Sequence, residues 1–140
     1  MDIESKKNLQ IESSDLVDLE NSSFDFGGYL RSIRQAKEIS IRQLAKAIGI
    51  TPTYLSDIEK GNNKPPDKAL LEAIIKELHI EENKTVVSNL FDLAAKERND
   101  IPADIKDYII NNHDLLVMIR SIKDNPEKQN IWNELSRSIG

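Results

Sequence analysis

The sequence predicts an all-α protein, and three observations carry that expectation. Apolar residues recur at three- and four-residue spacing from Phe26 nearly to the end of the chain, which aligns them on one face of successive helices. No segment alternates apolar and polar residues with period two over a useful length, so no sheet is expected. Helix start and stop residues punctuate the pattern at short intervals: Ser40, Gly49, Thr51-Pro52 and Gly61.

Composition bounds the function. The 140 residues are 39% apolar, 31% charged and 5% aromatic, enough for one compact domain with an appendage. No stretch approaches the ~20 apolar residues of a membrane span. Nothing at the start reads as an export signal, so a cytoplasmic location without membrane contact is expected. The chain has no cysteine, which removes disulfides, thiolate metal sites and cysteine nucleophiles. The two histidines, His79 and His113, stand apart in sequence and do not make a His-rich zinc site. No nucleophile elbow, phosphate-cradling Gly loop or paired catalytic carboxylates are recognisable. A protein that is not an enzyme, with neither metal nor cofactor, is expected.

The net charge of −5 is unevenly distributed. Residues 1–25 carry two Lys against seven acids, residues 26–79 nine Lys and Arg against six acids, and residues 80–140 eight against eleven. The middle block is the one suited to a polyanion. An acidic whole molecule does not prevent this, since phosphates feel local charge within about a Debye length, ~8 Å at physiological salt.

The elements follow in order. Residues 1–25 are acidic with weakly spaced Ile11, Leu16 and Leu19, and read as a flexible tail. Phe26, Leu30 and Ile33 define a first helix. Ser40 and Gln43 have capping-box spacing and open a second, whose inner stripe is Ile41, Leu44, Ala45 and Ile48 and whose end is Gly49. Thr51 as N-cap and Pro52 at the first helical position start a third, with Leu55 and Ile58 inside and Gly61 at its end. Residues 62–66 read as a polar loop. A fourth helix buries Leu70, Leu71, Ile74, Ile75 and Leu78, with His79 as a cation at its C-terminal dipole. Val86, Val87, Leu90, Phe91 and Ala94 mark a fifth; Pro102 seeds a sixth with Ile105, Tyr108 and Ile109. Leu115, Leu116, Ile119 and Ile122 mark a seventh, and Ile131, Trp132 and Leu135 a last one after Asn125-Pro126. Trp132 and its neighbours suit a core or a dimer interface. Asp100, Asp104 and Asp107 read as a solvated face.

Two short helices joined by a few residues around a Gly make a helix-turn-helix. The second, Pro52–Lys60, then protrudes and enters a DNA major groove by its N-terminal residues. Its outward residues are Pro52, Thr53, Ser56 and Asp57, with Tyr54 at the side. Lys60, Asn62, Asn63 and Lys64 follow and are placed to grip phosphates.

The stretch SIRQLAKAIGITPTYLSDIEKG, within Phe26–Leu78, resembles the Cro/repressor (XRE-like) helix-turn-helix family. The match rests on Gln43-Leu44-Ala45, Gly49, Tyr54-Leu55-Ser56 and Ile58-Glu59-Lys60-Gly61. The resemblance implies a lambda-repressor-like five-helix domain, here residues 26–94, bound as a homodimer to a two-fold-related double-stranded DNA operator. It places Pro52, Thr53 and Asp57 at base-contacting positions, flanked by Tyr54 and Ser56. It also implies an ion pair between Arg34 and Glu59, structural rather than DNA-contacting. Ile41 departs from the family's frequent Gln, which leaves Arg42 to meet the phosphate. The expected function is a transcriptional regulator, a repressor acting by promoter occlusion. Residues 95–140 are expected to be a helical extension that pairs two copies or binds a partner protein. The alternative is an antitoxin or interaction module whose tail or C-terminal helices capture a toxin or a regulatory protease.

Overall fold

The computed structural model describes residues 24–139, so the expected acidic tail lies outside the described residues apart from its last two positions. Among the described residues there are eight helices and no strand. They are α1 (Phe26–Ala36), α2 (Ile41–Ile48), α3 (Pro52–Lys60), α4 (Lys68–Glu77), α5 (Lys84–Arg98), α6 (Lys106–Ile110), α7 (His113–Lys123) and α8 (Pro126–Ile139). The chain divides into two compact units between Asp104 and Ile105.

In the first unit, α1 to α5 close on one core. Phe26, Tyr29, Leu30 and Ile33 of α1 are at most 2% exposed, and they meet Leu44 and Ala45 of α2, Leu55 and Ile58 of α3, Leu71 and Ile74 of α4, and Val86 and Leu90 of α5. Each fully buried aliphatic side chain contributes roughly 1.5–3 kcal/mol of transfer free energy, which makes this cluster the main source of the unit's stability. Ile41, Ile48, Leu70 and Val87, expected inside, pack on the rim of the core and stay partly exposed.

The helix ends explain the short elements. Asp25 caps α1 by accepting from Gly28 N at 2.7 Å. Ser40 and Gln43 form the full reciprocal capping box at 3.0 and 2.8 Å, Thr51 Oγ1 accepts from Tyr54 N at 3.1 Å, and Asp67 and Asn83 cap α4 and α5. Three endings use the left-handed region without glycine: Glu38, His79 and Asn99, with φ of 57°, 55° and 53°. His79 therefore lies just beyond the C-cap Leu78, in a turn position, rather than in the last turn of α4.

Two local features depart from the sequence reading. Pro65 and Pro66 are buried, although the loop was expected to be polar. Proline rings are apolar, and Pro66 lines one small cavity together with Leu71, Phe91 and Ala95, while Pro65 O accepts from the Arg98 guanidinium. Pro102 does not start α6, which begins at Lys106 after an uncapped Ile105 and lasts one turn.

The packing of α1 on α3 depends on Gly27. A Cβ there would sit 2.3 Å from Glu59 O and 2.6 Å from Ile58 O, so the backbones touch where any side chain would intrude. At the other end of α1, Lys37 is 4% exposed, and burial pushes its ammonium below the ordinary value, partly opposed by the Glu81 carboxylate.

In the second unit, α7 and α8 form a helical hairpin. Asn112 caps α7 through Leu115 N at 3.0 Å, and Asn125 Oδ1 accepts from Glu127 N and Lys128 N at 3.0 and 3.3 Å to start α8. Lys128 Nζ donates to Ser121 Oγ at 2.6 Å and Gln129 Nε2 to Lys123 O at 2.9 Å, which ties the two helices near the turn. No residue of α6, α7 or α8 is buried.

Two measurements check this packing. Gly27→Ala is expected to lower the unfolding free energy by about 2–3 kcal/mol in urea denaturation, because backbone cannot swing aside. Gly28→Ala, which meets only the Asp25 carboxylate and the Phe24 ring, is expected to cost less. The Lys37 contribution is expected to grow more favourable as pH rises from its lowered folded value to the ordinary 10.5. In that window the unfolded chain holds the proton more often than the folded chain does. Wild type should therefore gain stability relative to Lys37→Met on titration to about pH 10.5.

Candidate nucleic-acid interface

The interface is built on the turn between α2 and α3. Gly49 takes φ 77°, a conformation that costs a Cβ-bearing residue about 1 kcal/mol or more. This lets Ile50 N bond back to Ala45 O at 3.0 Å while the Ile50 side chain packs on the core edge. Thr51 then starts α3 immediately. Ala45, 0% exposed, is the small residue that lets the helices cross closely.

A buried ion pair sets the far end of α3. Arg34 Nε and Nη2 donate to Glu59 Oε2 and Oε1 at 2.7 and 3.0 Å. The third guanidinium nitrogen, Nη1, donates to Ile39 O at 2.8 Å. The two side chains are 10% and 4% exposed, and among the described residues no buried side-chain polar atom lacks a partner. One planar group thus ties α1, the turn before α2 and the last turn of α3. Both charges are spent on each other, and neither faces solvent.

With α3 held at both ends, its outer surface is left open. Pro52, Thr53, Tyr54 and Lys60 are exposed. Ser56 and Asp57 are half-buried, lower on the flank than the pattern alone implied. The loop after α3 continues the surface. Gly61 turns at φ 80°, Asn62 N and Asn63 N bond to Asp57 O at 2.9 and 3.3 Å, and Asn62, Asn63 and Lys64 are exposed. Arg42 is exposed on the first turn of α2. The sequence-predicted contact residues thus lie on three consecutive elements, the start of α2, α3 and the loop after it, and all but Ser56 and Asp57 are exposed. Exposed Pro, Thr and Tyr backed by Arg and Lys can meet base edges and phosphates without burying an unpaired charge.

Sequence reasoning missed three residues that position this surface. Asp25 caps the start of α1, Gly27 lets α1 meet α3, and Arg98 holds the base of the loop through Pro65 O. The adjacent Gly27-Gly28 inside a helix was a usable signal, since glycine there costs about 1 kcal/mol and implies a packing reason.

Comparison with known proteins agrees with this geometry. Residues 30–84 match the helix-turn-helix family. Two relatives from Mycobacterium tuberculosis, strains CDC 1551 / Oshkosh and ATCC 25618 / H37Rv, are named HTH-type transcriptional regulators. Each is 39% identical over 54 residues, 39% of this chain and 38% of the relative. The ImmF control region 10 kDa protein of Bacillus phage phi105 is 41% identical over 44 residues, 31% of this chain and 49% of its own length. The matching stretch thus spans less than half of each relative. No solved structure matches the chain significantly.

Glu59→Leu or Arg34→Met alone is expected to cost about 3–5 kcal/mol in chemical denaturation, because each strands a buried charge. The double variant Arg34→Met/Glu59→Leu should recover much of that loss, the signature of a coupled pair.

Proposed function

We propose that this chain, whose residues 30–84 match the helix-turn-helix family, is a sequence-specific double-stranded DNA-binding transcriptional regulator. It acts as a repressor, bound as a homodimer that occludes a promoter. The single observation that carries this reading is α3. Its N-terminal residues Pro52, Thr53 and Tyr54 are open to solvent while its two ends are fixed by Thr51 and by the Arg34–Glu59 pair.

The roles divide by chemistry. Thr53 and Asp57 read base edges, Thr53 by hydrogen bond or methyl contact and Asp57 by accepting from a cytosine amino group. Pro52 offers only an apolar contact, and Tyr54 and Ser56 flank the reading positions. Arg42, Lys60, Asn62, Asn63 and Lys64 hold phosphates and set the register. So few reading side chains leave part of the discrimination to DNA shape. Two copies read two half-sites about one helical turn, roughly 10 bp, apart. The name HTH-type transcriptional regulator on the mycobacterial relatives supports the regulatory reading. No helix among the described residues is long and apolar enough to cross a membrane.

Selection of bound duplexes from a random pool at fixed salt tests the proposal. One half-site motif should be enriched, with nanomolar-range affinity that falls steeply as salt rises. Lys64→Ala should weaken all duplexes alike and lower the salt slope by about one, whereas Thr53→Ala should relax the motif at one position. A pool that emerges unenriched, with binding unmoved by Lys64→Ala, would sink the reading.

A further inference from the structure

The second unit presents an apolar surface that nothing within it covers. On α8, Ile131, Leu135 and Ile139 recur every fourth residue and are 65%, 52% and 76% exposed, with Trp132 beside them at 44%. These four fall within the ~100° stripe that a helix normally turns toward a core. On α7, Met118 and Ile119 are 41% and 42% exposed. The usual substitutes for a core are missing, since the chain has no cysteine and the described residues hold no group of three metal-ligating side chains.

Resting on the dimeric reading above, we propose that the α7–α8 hairpin closes face to face on the same hairpin of a second copy of this chain. The result is a four-helix assembly with Ile131, Trp132, Leu135 and Ile139 at its seam. Two arguments select a second copy as the occupant. The first is charge. Residues 105–140 carry five Lys and Arg and five Asp and Glu, so this unit is neutral while the rest of the chain holds the whole excess of −5. Along α8, Glu127 and Lys128 near the start and Glu134 and Arg137 near the end put both signs at both ends. Antiparallel juxtaposition then pairs opposite charges without net repulsion. The second is area. Six large apolar side chains, each at least 41% exposed, supply the apolar centre that a standard stable interface of ~800 Å² per partner surrounds with a polar rim. A two-fold contact needs only this one self-complementary patch.

The full-length chain tests this by light scattering over a dilution series, read together with fluorescence of Trp132, the one tryptophan in the sequence. Expected are a two-copy mass at micromolar concentration and, on dilution, a fall to one copy as the Trp132 emission shifts to the red. Ile131→Glu/Leu135→Glu should raise the dissociation constant about 100-fold or more. Arg137→Glu leaves every apolar contact in place and should weaken association most at low salt. A one-copy mass at every concentration overturns the proposal, as does a two-copy mass that neither variant changes. A two-copy mass that the variants split, in a protein that binds no duplex, upholds this interface and contradicts the DNA reading instead. One-copy protein that still binds a half-site overturns this interface and the homodimer with it, and leaves only the reading of DNA by α3 standing.

Discussion

The Arg34–Glu59 fork is the constraint on which the arrangement of the first unit depends. Three nitrogens of one guanidinium reach three oxygens on two residues, Glu59 and Ile39, in two chain segments. A pair of apolar side chains could fill the same space, and buried ion pairs often add little net stability. What the fork supplies is direction. Its planar donors accept only one orientation of the Glu59 carboxylate, so the last turn of α3 is fixed in rotation as well as position. Gly27 then lets the α1 and α3 backbones meet beside that pair. Thr51 and Gly49 fix the other end of α3. A helix of nine residues, too short to be stable alone, becomes rigid because both of its ends are held.

What could be read from the sequence and what could not divide along a physical line. The capping box at Ser40 and Gln43, the left-handed Gly49 and the Thr51-Pro52 start are local chemistry, written within four residues, and all are present in the structure. The apolar stripes of α1 to α5 were legible because burial imposes their period. Features set by distant segments were not legible. Gly27 matters because of Glu59, thirty-two residues on, and the buried Pro65 because of Arg98. The last apolar residue read into the fifth helix was Ala94, yet α5 runs to Arg98, whose last turn carries Glu97 bonded to Phe26 N at 3.0 Å. Pro102 reads as a helix start, but the helix forms only from Lys106, with no side-chain cap hydrogen bond at Ile105. At the interface, the exposure of Pro52, Thr53 and Tyr54 followed from helical phase. The half-burial of Ser56 and Asp57 depends on how deeply α3 sinks between its neighbours.

The two units solve the problem of burial differently. The first closes a core of its own from five helices, and among the described residues its buried side-chain polar atoms all have hydrogen-bond partners. The second buries no residue in any of its three helices, so its apolar side chains are available for association. On the function proposed above, reading falls to the first unit and pairing to the second. The charge follows the same division: residues 26–79 carry a positive excess, and residues 105–140 are neutral.

Amide chemical-shift mapping of the full-length chain, titrated with its selected duplex, tests the central claim most directly. The account predicts that the largest changes fall on residues 52–64 and on Arg42, with the α1 core residues nearly still. Changes that spare α3 and its following loop while moving another surface would contradict it.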